Sequence, residues 1–211
     1  MLMGPPGSGK GTQAARVAER YALPHISTGD ALRAAVKAGT PIGREVAEII
    51  AAGRLVGDEL ISGIVRERLN APDARAGCIL DGYPRTVAQA GVLDTMLKGG
   101  STLVVVHLVA DDEEIVRRLA SRRVCDACTL TQSVSPDTDP DREACPYCGG
   151  NLSRRPDDHP DTVRRRLATY ASFAGPLIEF YQGRPTFATI DGLQRPDKVT
   201  GELCAHIERC R

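Results

Sequence analysis

Several residue types and patterns are scarce or missing in this chain, and each absence excludes a class of function. There is no tryptophan, aromatic residues make up 4% of the sequence, and 27 basic residues balance 27 acidic ones. A chain without net charge lacks the attraction that general nucleic-acid or acidic-membrane binding requires. The longest apolar stretch, Leu103–Val106, is far shorter than the roughly 20 residues of a membrane span. No secretion signal is visible, so we expect a protein of the reducing cytoplasm.

What the chain does contain indicates one domain with an inserted lobe. Its 211 residues, 42% of them hydrophobic, are enough for a full core. Short apolar strand patterns alternate with helical periodicity, which is typical of an α/β fold with a parallel sheet covered on both faces. The composition changes at Arg122, and residues to about Asp158 are polar, rich in Pro and Asp, and poor in aliphatic side chains.

The segment that follows Met3 matches the phosphate-loop pattern. It runs Gly4-x4-Gly9-Lys10, with Gly11 and then Thr12 where Ser or Thr usually follows the lysine. Glycines let several backbone N–H groups point at one anion, and the next helix adds its positive end. Only three residues precede Gly4, so the strand before the loop is very short or begins upstream. The pattern is shared by hydrolases, motors and kinases, so it does not by itself name a reaction.

Together with this loop, further segments resemble the motif set of the adenylate kinases, within the nucleoside monophosphate kinase family. In chain order they are Ser27–Asp30, Gly53–Val56, Asp81–Arg85, Gln89, Ala120–Val124, Arg155–Asp158 and Thr162–Leu167. The resemblance implies a P-loop kinase domain over residues 1–211 with a five-stranded parallel sheet flanked by helices. It also implies a helical monophosphate-binding lobe at residues 27–56 and a zinc-binding lid at residues 121–158.

The same resemblance implies reversible, Mg²⁺-dependent transfer of a phosphoryl group from ATP to AMP, giving two ADP, by a monomer whose partners are nucleotides. A related kinase with UMP, CMP or GMP as acceptor, or GTP as donor, stays open because Gly57 stands where the family usually carries Thr. A P-loop GTPase or ATPase is a different class, and the guanine-reading Asn-Lys-x-Asp is absent. A zinc-ribbon module that binds nucleic acid is a third, and the neutral charge disfavours it.

Site residues are carried over by position from the same motifs. The implied catalytic residues are Lys10, Asp81, Arg85, Arg122, Arg155 and Arg166. The implied ATP-binding residues are Gly7, Ser8, Gly9, Lys10, Gly11, Thr12, Arg118, Arg122, Thr131, Gln132 and Gln194. The implied AMP-binding residues are Thr28, Arg33, Arg54, Leu55, Val56, Gly82, Tyr83, Pro84, Arg85, Gln89, Arg155 and Arg166.

The chemistry of these residue types suits phosphoryl transfer. Guanidinium forks bind phosphate oxygens in pairs and neutralise the charge of the transferred group. A phosphate acceptor with a second pKa of about 6 is largely ionised at neutral pH, so no general base is needed. Asp81 ends an apolar strand beside the loop, where it can hold the waters of Mg²⁺. The amide of Gln89 can donate and accept at once, which suits an adenine edge.

Four cysteines in the polar lobe form two Cys-x-x-Cys pairs, Cys125 with Cys128 and Cys145 with Cys148. This spacing predicts a tetrahedral zinc site. Four thiolates leave no open position for substrate, so the metal would be structural and would supply folding energy that the lobe lacks. Disulfides are the alternative, and a reducing compartment disfavours them.

Overall fold

The computed structural model describes residues 1–97, 101–134 and 144–211. Its centre is a five-stranded parallel sheet in the order β2-β3-β1-β4-β8. The five strands are β1 (Leu2–Met3), β2 (His25–Ser27), β3 (Ile79–Asp81), β4 (Val105–Val109) and β8 (Phe187–Asp191). The expected parallel sheet is therefore confirmed, and the strand before the phosphate loop is two residues long.

Helices cover both faces of this sheet. They are α1 (Lys10–Tyr21), α2 (Thr28–Lys37), α3 (Pro41–Ala51), α4 (Asp58–Leu69), α5 (Val87–Met96), α6 (Asp112–Ser121), α7 (Pro160–Gln182) and α8 (Pro196–Cys210). Short 3₁₀ turns stand at Pro72–Ala74 and Pro156–Asp158.

Side-chain caps fix where several of these helices begin. Ser27 and Thr86 each accept a hydrogen bond from a backbone N–H in the first turn of α2 and α5, and Asp111 does the same for α6. The sequence predicts a break at residues 39–41 and a helix from Gly43. Instead, Thr40 caps α3 and Pro41 is its first residue, because proline lacks only an N–H that the first turn leaves unpaired.

Neighbouring residues of each strand feed two different cores, one on each side of the sheet. Met3, Leu80 and Val105 pack with α2, α4, α5 and α7. Leu2 and Val106 belong to the second core, which includes side chains from α1 and α8. This alternation follows from the two-residue period of a strand, and it places a continuous apolar layer under each set of helices.

A second, antiparallel sheet lies between α6 and α7. It has the order β6-β5-β7 and consists of β5 (Arg122–Cys125), β6 (Thr131–Ser133) and β7 (Leu152–Ser153). The hydrophobic cluster beside this sheet has four buried members, Cys125, Cys145, Val134 and Leu152, of which two are aliphatic. The expected lid at 121–158 includes residues 135–143, which lie outside the described residues.

No helix in the described part of the chain combines the length and the hydropathy needed to cross a bilayer.

Candidate functional site

The carboxyl ends of the parallel strands meet at one edge of the central sheet, and the predicted site residues gather there. The loop Gly4–Gly9 follows β1, Thr28 follows β2, Asp81 ends β3, and Gly192 follows β8. In open α/β sheets this edge is where ligands bind.

The loop after β1 is shaped to point its backbone inward. Gly7 and Gly9 have φ of 83° and 95°, a left-handed conformation that glycine adopts without strain. A Cβ on Gly7 would lie 3.0 Å from Leu119 and 3.1 Å from Ile115, because α6 packs directly on the loop. Gly9 caps α1, so the positive end of that helix lies at the loop.

Lys10 lies folded over this loop. Its Nζ donates to the carbonyl oxygens of Gly4 and Pro5, both at 2.7 Å. Burial lowers the pKa of Lys10 to about 8, and the positive charges of Arg85, Arg166 and others add to the shift, which Asp81 opposes. A bound anion would offset that burial cost, so the lysine is held where negative charge stabilises it.

The loop after β8 packs against the phosphate loop and completes one end of the site. A Cβ on Gly192 would lie 2.6 Å from the backbone oxygen of Ser8, so only glycine fits this approach. Arg118 donates to Gly192 O at 2.9 Å and to Glu114 Oε1 at 2.9 Å. Gln194, in the same loop, bonds to Asp191 O and Glu202. The structure therefore groups Arg118 and Gln194 with the phosphate loop.

A second part of the site is a cleft lined by residues of α2, α3, α4, α5 and α7, with about 640 Å³ of space that includes open solvent. Nine of the residues that the motifs assign to AMP line it, namely Thr28, Arg33, Arg54, Leu55, Val56, Gly82, Arg85, Gln89 and Arg166. The remaining lining residues, which were not assigned to AMP, are Gly29, Leu32, Ile50, Gly53, Ile61 and Asp157.

Two adjacent acids hold the arginines at the mouth of this cleft. Asp158 accepts from Arg122 Nε at 2.7 Å and from Arg122 Nη2, a two-pronged contact, and it lies 3.2 Å from Arg166 Nη1. Asp157 lies 3.1 Å from Arg166 and 3.8 Å from Arg33. Burial would raise the pKa of Asp157, but the arginines Arg166 and Arg33 hold it below its usual value.

Arg85 and Arg155 complete this group. Arg85 Nε donates to Gly82 O at 2.9 Å, and no carboxylate within the described residues lies within 4.0 Å of its guanidinium. Burial lowers the pKa of Arg85, and Arg166 lowers it further. Arg155 lies 3.7 Å from Asp30, and burial lowers its pKa to about 10. Both guanidiniums would be stabilised by an added anion.

Gln89 is buried at the inner end of the cleft, with 2% of its surface exposed. Its Oε1 accepts from the backbone N–H of Arg85 at 2.7 Å. Its Nε2 donates to Oδ1 of Asp58 at 2.7 Å. The side chain that the motifs assign to the base is thus tied to the backbone of the residue that they assign to the phosphate.

Some predicted residues lie apart from the cleft. The ring of Tyr83 is in the core, where its hydroxyl contacts Ser62 at 3.1 Å and Gln89 O at 3.2 Å. Neither Tyr83 nor Pro84 lines the cleft. Thr131 and Gln132 lie on β6 of the small sheet, where Thr131 contacts Arg155 at 3.4 Å.

The carboxylate of Asp81 fits a cation with its water shell. It lies beside the phosphate loop, because its Oδ2 is 3.5 Å from where a Cβ on Gly11 would stand. Among the described residues, no lysine or arginine nitrogen lies within 4.0 Å of it; its near neighbour is His25 Nε2, at 3.5 Å. A buried carboxylate without a permanent cationic partner suits the hydrated Mg²⁺ that accompanies nucleotide phosphates.

The four cysteines of the small sheet converge on one point. Their Sγ atoms all lie within 4.8 Å of one another, with Cys125 to Cys148 at 3.4 Å and Cys128 to Cys145 at 3.6 Å. Four sulfurs at about 2.3 Å from a tetrahedral zinc would be about 3.8 Å apart. These contacts are far longer than a disulfide bond of about 2.05 Å. The donor set and spacing fit zinc.

The acids that organise the arginines were missed by sequence reasoning. Asp157 and Asp158 stand in the string Arg155–Asp158, yet no residue pattern shows that they turn inward rather than into solvent. Asp58 opens α4 and reads as a helix-start acid, although its carboxylate is bonded to Gln89 and Thr86.

Comparisons with known proteins give one family. The family model described as "Adenylate kinase" matches residues 2–186. A protein named adenylate kinase from Trichlorobacter lovleyi is 46% identical over 195 residues, covering 92% of this chain and 91% of its own. Those from Magnetococcus marinus and Archaeoglobus fulgidus are 43% and 42% identical, covering 97% and 100% of this chain and 97% and 98% of their own.

Proposed function

The chain belongs to the adenylate kinase family, and we propose that it transfers a phosphoryl group reversibly from ATP to AMP, giving two ADP, with the residues described above. The observation that carries this proposal is the position of Lys10. Its Nζ contacts Gly4 O and Pro5 O of the phosphate loop, and it is close enough to Arg85 and Arg166 of the arginine-lined cleft for their charges to lower its pKa. Two nucleotides bound in these places would meet at their phosphates.

The donor nucleotide binds along the loop after β1. The inward N–H groups of Gly7–Lys10 and the positive end of α1 hold its phosphates. Lys10 leaves its contacts with Gly4 and Pro5 to bind the outer phosphates. Arg118 and the loop at Gly192–Gln194 form the far wall, against which the base packs.

The acceptor nucleotide binds in the cleft. Arg33, Arg85 and Arg166 hold its phosphate, and Thr28, Val56 and Gln89 surround its base. Arg122 and Arg155 approach from the lid side and neutralise charge on the transferred group. No side chain has to remove a proton, because the acceptor phosphate is already ionised.

When bound, Mg²⁺ would supply positive charge that neutralises the phosphates of ATP. Asp81 would hold its waters and so fix the position of those phosphates relative to the loop.

Residues 27–56 and 121–158 act as two lobes that close over the nucleotides. Contacts between them are already present, since Arg155 lies 3.7 Å from Asp30 and Lys37 Nζ is 3.4 Å from Asp126 O. Closure removes water from the transfer site, and without that exclusion ATP hydrolysis would compete with transfer.

The group of four cysteines binds structural zinc in this proposal. The backbone N–H of Cys128 donates to Cys125 Sγ at 3.5 Å, a contact that stabilises the kind of thiolate that zinc requires. The protein acts as a monomer, since one chain supplies every site residue named above. None of its seven cysteines is in a disulfide, which favours the reducing cytoplasm.

A coupled assay tests the reaction. Purified protein with Mg²⁺ and ATP should form ADP when AMP is added and should form almost none without it. The same assay with GMP, UMP or CMP as acceptor, and with GTP as donor, tests the related kinases, which the names of the relatives do not favour. Rapid ATP hydrolysis without AMP, or a faster reaction with another monophosphate, would contradict the proposal.

A further inference from the structure

The amide of Gln89 is held in one orientation by two neighbours that cannot exchange roles. A backbone N–H, here that of Arg85, can only donate, and an ionised carboxylate, here that of Asp58, can only accept. The carbonyl oxygen of Gln89 must therefore face Arg85, and its amino group must face Asp58. The orientation follows from the chemistry of the partners and needs no choice between the O and N atoms.

Asp58 is itself fixed by a second contact. Its Oδ2 accepts from the hydroxyl of Thr86 at 2.8 Å. That hydroxyl also accepts from the backbone N–H of Gln89 at 3.1 Å, so its own hydrogen is directed at Asp58. Thr86 thus caps α5 and orients the carboxylate at the same time.

Each end of the Gln89 amide keeps one unused hydrogen-bonding position. A carbonyl oxygen can accept two hydrogen bonds, and an amide nitrogen can donate two. One of each is taken by Arg85 and Asp58, which leaves one acceptor and one donor in a fixed order on a side chain that lines the cleft.

That fixed order distinguishes the two purines. Adenine carries an amino donor beside a ring-nitrogen acceptor, and it pairs with an amide that offers an acceptor beside a donor. Guanine carries an oxygen acceptor at the place of the amino group and a ring N–H beside it, so it would pair with the amide only after a flip. The flip would turn the Gln89 amino group onto the Arg85 N–H and its oxygen onto the Asp58 carboxylate.

We propose that Asp58 is a specificity-determining positioning residue, which selects AMP over GMP by preventing the flip of Gln89. The inference rests on the proposed function, and it goes further by assigning base choice to a residue that does not line the cleft. It also explains how the chain keeps an adenine-specific site with Gly57, whose place offers no side chain to the base.

Two substitutions test this role. Asp58→Asn replaces an obligate acceptor by an amide that can also donate, so it can pair with either orientation of Gln89. Asp58→Ala removes the partner. In both variants the ratio of kcat/KM for AMP to kcat/KM for GMP should fall by roughly tenfold or more, the fold-change that one lost hydrogen-bond preference of about 1.4 kcal/mol gives. The KM for ATP should stay within about twofold, since one missing contact in the acceptor site leaves the donor site unchanged.

Glu59→Gln is the matched control. Glu59 is the next residue of the same first helical turn, is exposed, and has no side-chain hydrogen bond within the described residues. Glu59→Gln removes the same charge near the same helix end but leaves the contact between Asp58 and Gln89 in place. The AMP-to-GMP ratio should therefore not change. Any loss of stability shared by the variants then reports the helix end and not base selection.

A spectroscopic measurement separates positioning from folding. In the unsubstituted protein, the side-chain ¹⁵N resonance of Gln89 should show one amide hydrogen protected from solvent exchange, and that protection should be lost in Asp58→Ala. The inference is overturned if AMP and GMP are affected equally in both Asp58 variants, or if the protection is unchanged. If the unsubstituted protein makes no ADP from ATP and AMP, the proposed function itself fails. If it makes ADP but the Asp58 substitutions leave the AMP-to-GMP ratio unchanged, only the proposed role of Asp58 fails.

Discussion

Gly43, on α3, provides a sharp test of how tightly the wall of the acceptor cleft is built. A Cβ at this position would lie 2.0 Å from the backbone oxygen of Ala35 and 2.3 Å from its carbonyl carbon. Normal carbon–oxygen contacts are about 3.3 Å or longer, so Gly43→Ala must push α2 and α3 apart by roughly 1 Å. The atoms met are backbone atoms, which cannot rotate away as a side chain would.

The expected loss of stability follows from two opposing effects. Overpacking costs about 1–3 kcal/mol, and an unyielding backbone contact belongs at the upper end of that range. Replacing a helical glycine by alanine stabilises the folded protein by about 1 kcal/mol. We therefore expect a net loss of about 2 kcal/mol, which lowers Tm by roughly 4–8 °C in a chain of this size.

The same displacement of α2 and α3 should weaken the binding of AMP. Leu32 and Arg33 project from α2 into the cleft and Ile50 projects from α3, so separating the helices moves both walls. The KM for AMP should rise several-fold, while the KM for ATP stays near its original value because the phosphate loop belongs to a different part of the sheet edge.

Gly63→Ala is the control for this substitution. Gly63 lies inside α4, and a Cβ there would meet nothing within 4 Å. Gly63→Ala should therefore stabilise the protein by about 1 kcal/mol, because alanine favours the helix and meets no steric cost, and it should raise Tm. Thermal unfolding and steady-state kinetics on the two variants decide the matter. The reasoning is refuted if Gly43→Ala unfolds at or above the temperature of the unsubstituted protein with an unchanged KM for AMP.

Three further outcomes follow from the site. Arg85→Ala should lower kcat/KM for AMP by about 10²–10³, which is the usual cost of losing one fixed transition-state donor. Arg75 lies outside the cleft, so Arg75→Ala should leave kcat/KM unchanged. If Arg85→Ala has the same kinetics as the unsubstituted protein, Arg85 has no role in the reaction. Because burial sets the pKa of Lys10 at about 8, the free protein loses this proton above pH 8 and must regain it to bind phosphate. The KM for ATP should therefore rise by up to tenfold per pH unit above 8, with proton uptake visible by calorimetry in two buffers, and a flat profile from pH 7 to 9.5 would contradict this. Cys128→Ser should lose most of its bound zinc and lower Tm, because metal binding supplies about 10–16 kcal/mol in small zinc sites; a retained one-to-one zinc content would remove Cys128 from the ligand set.

The same pKa fixes the sign of one contribution to stability. Lys10 is more easily deprotonated in the folded chain, with a pKa of about 8 against 10.5 when unfolded. Between these values the unfolded state binds more protons, so the contribution of Lys10 to stability rises with pH over that interval.

The features that could be predicted from the sequence are those set by residues close to one another along the chain. The largely apolar segment 102–109 predicts a strand covered on both faces, and the structure has that strand at Val105–Val109 with parallel partners on both sides. Caps at Ser27 and Asp111 follow from local hydrogen-bonding chemistry, and both are present. The resemblance to the adenylate kinases is confirmed over nearly the whole chain.

What escaped prediction depends on residues far apart in sequence. The pairing of Asp158 with Arg122 spans 36 positions, and that of Asp58 with Gln89 spans 31. No periodicity marks an acid as inward-facing when its partner arrives from another element. For the same reason, the sequence shows that the Gln89 amide can donate and accept at once, but it does not show that half of this hydrogen-bonding capacity is used within the protein.

The two-pronged contact between Arg122 and Asp158 joins the points at which the chain enters and leaves the small cysteine-bearing sheet. Because both ends of the lobe are held together at this point, the described residues between them can change without moving Arg122, Asp158 or the neighbouring Arg166.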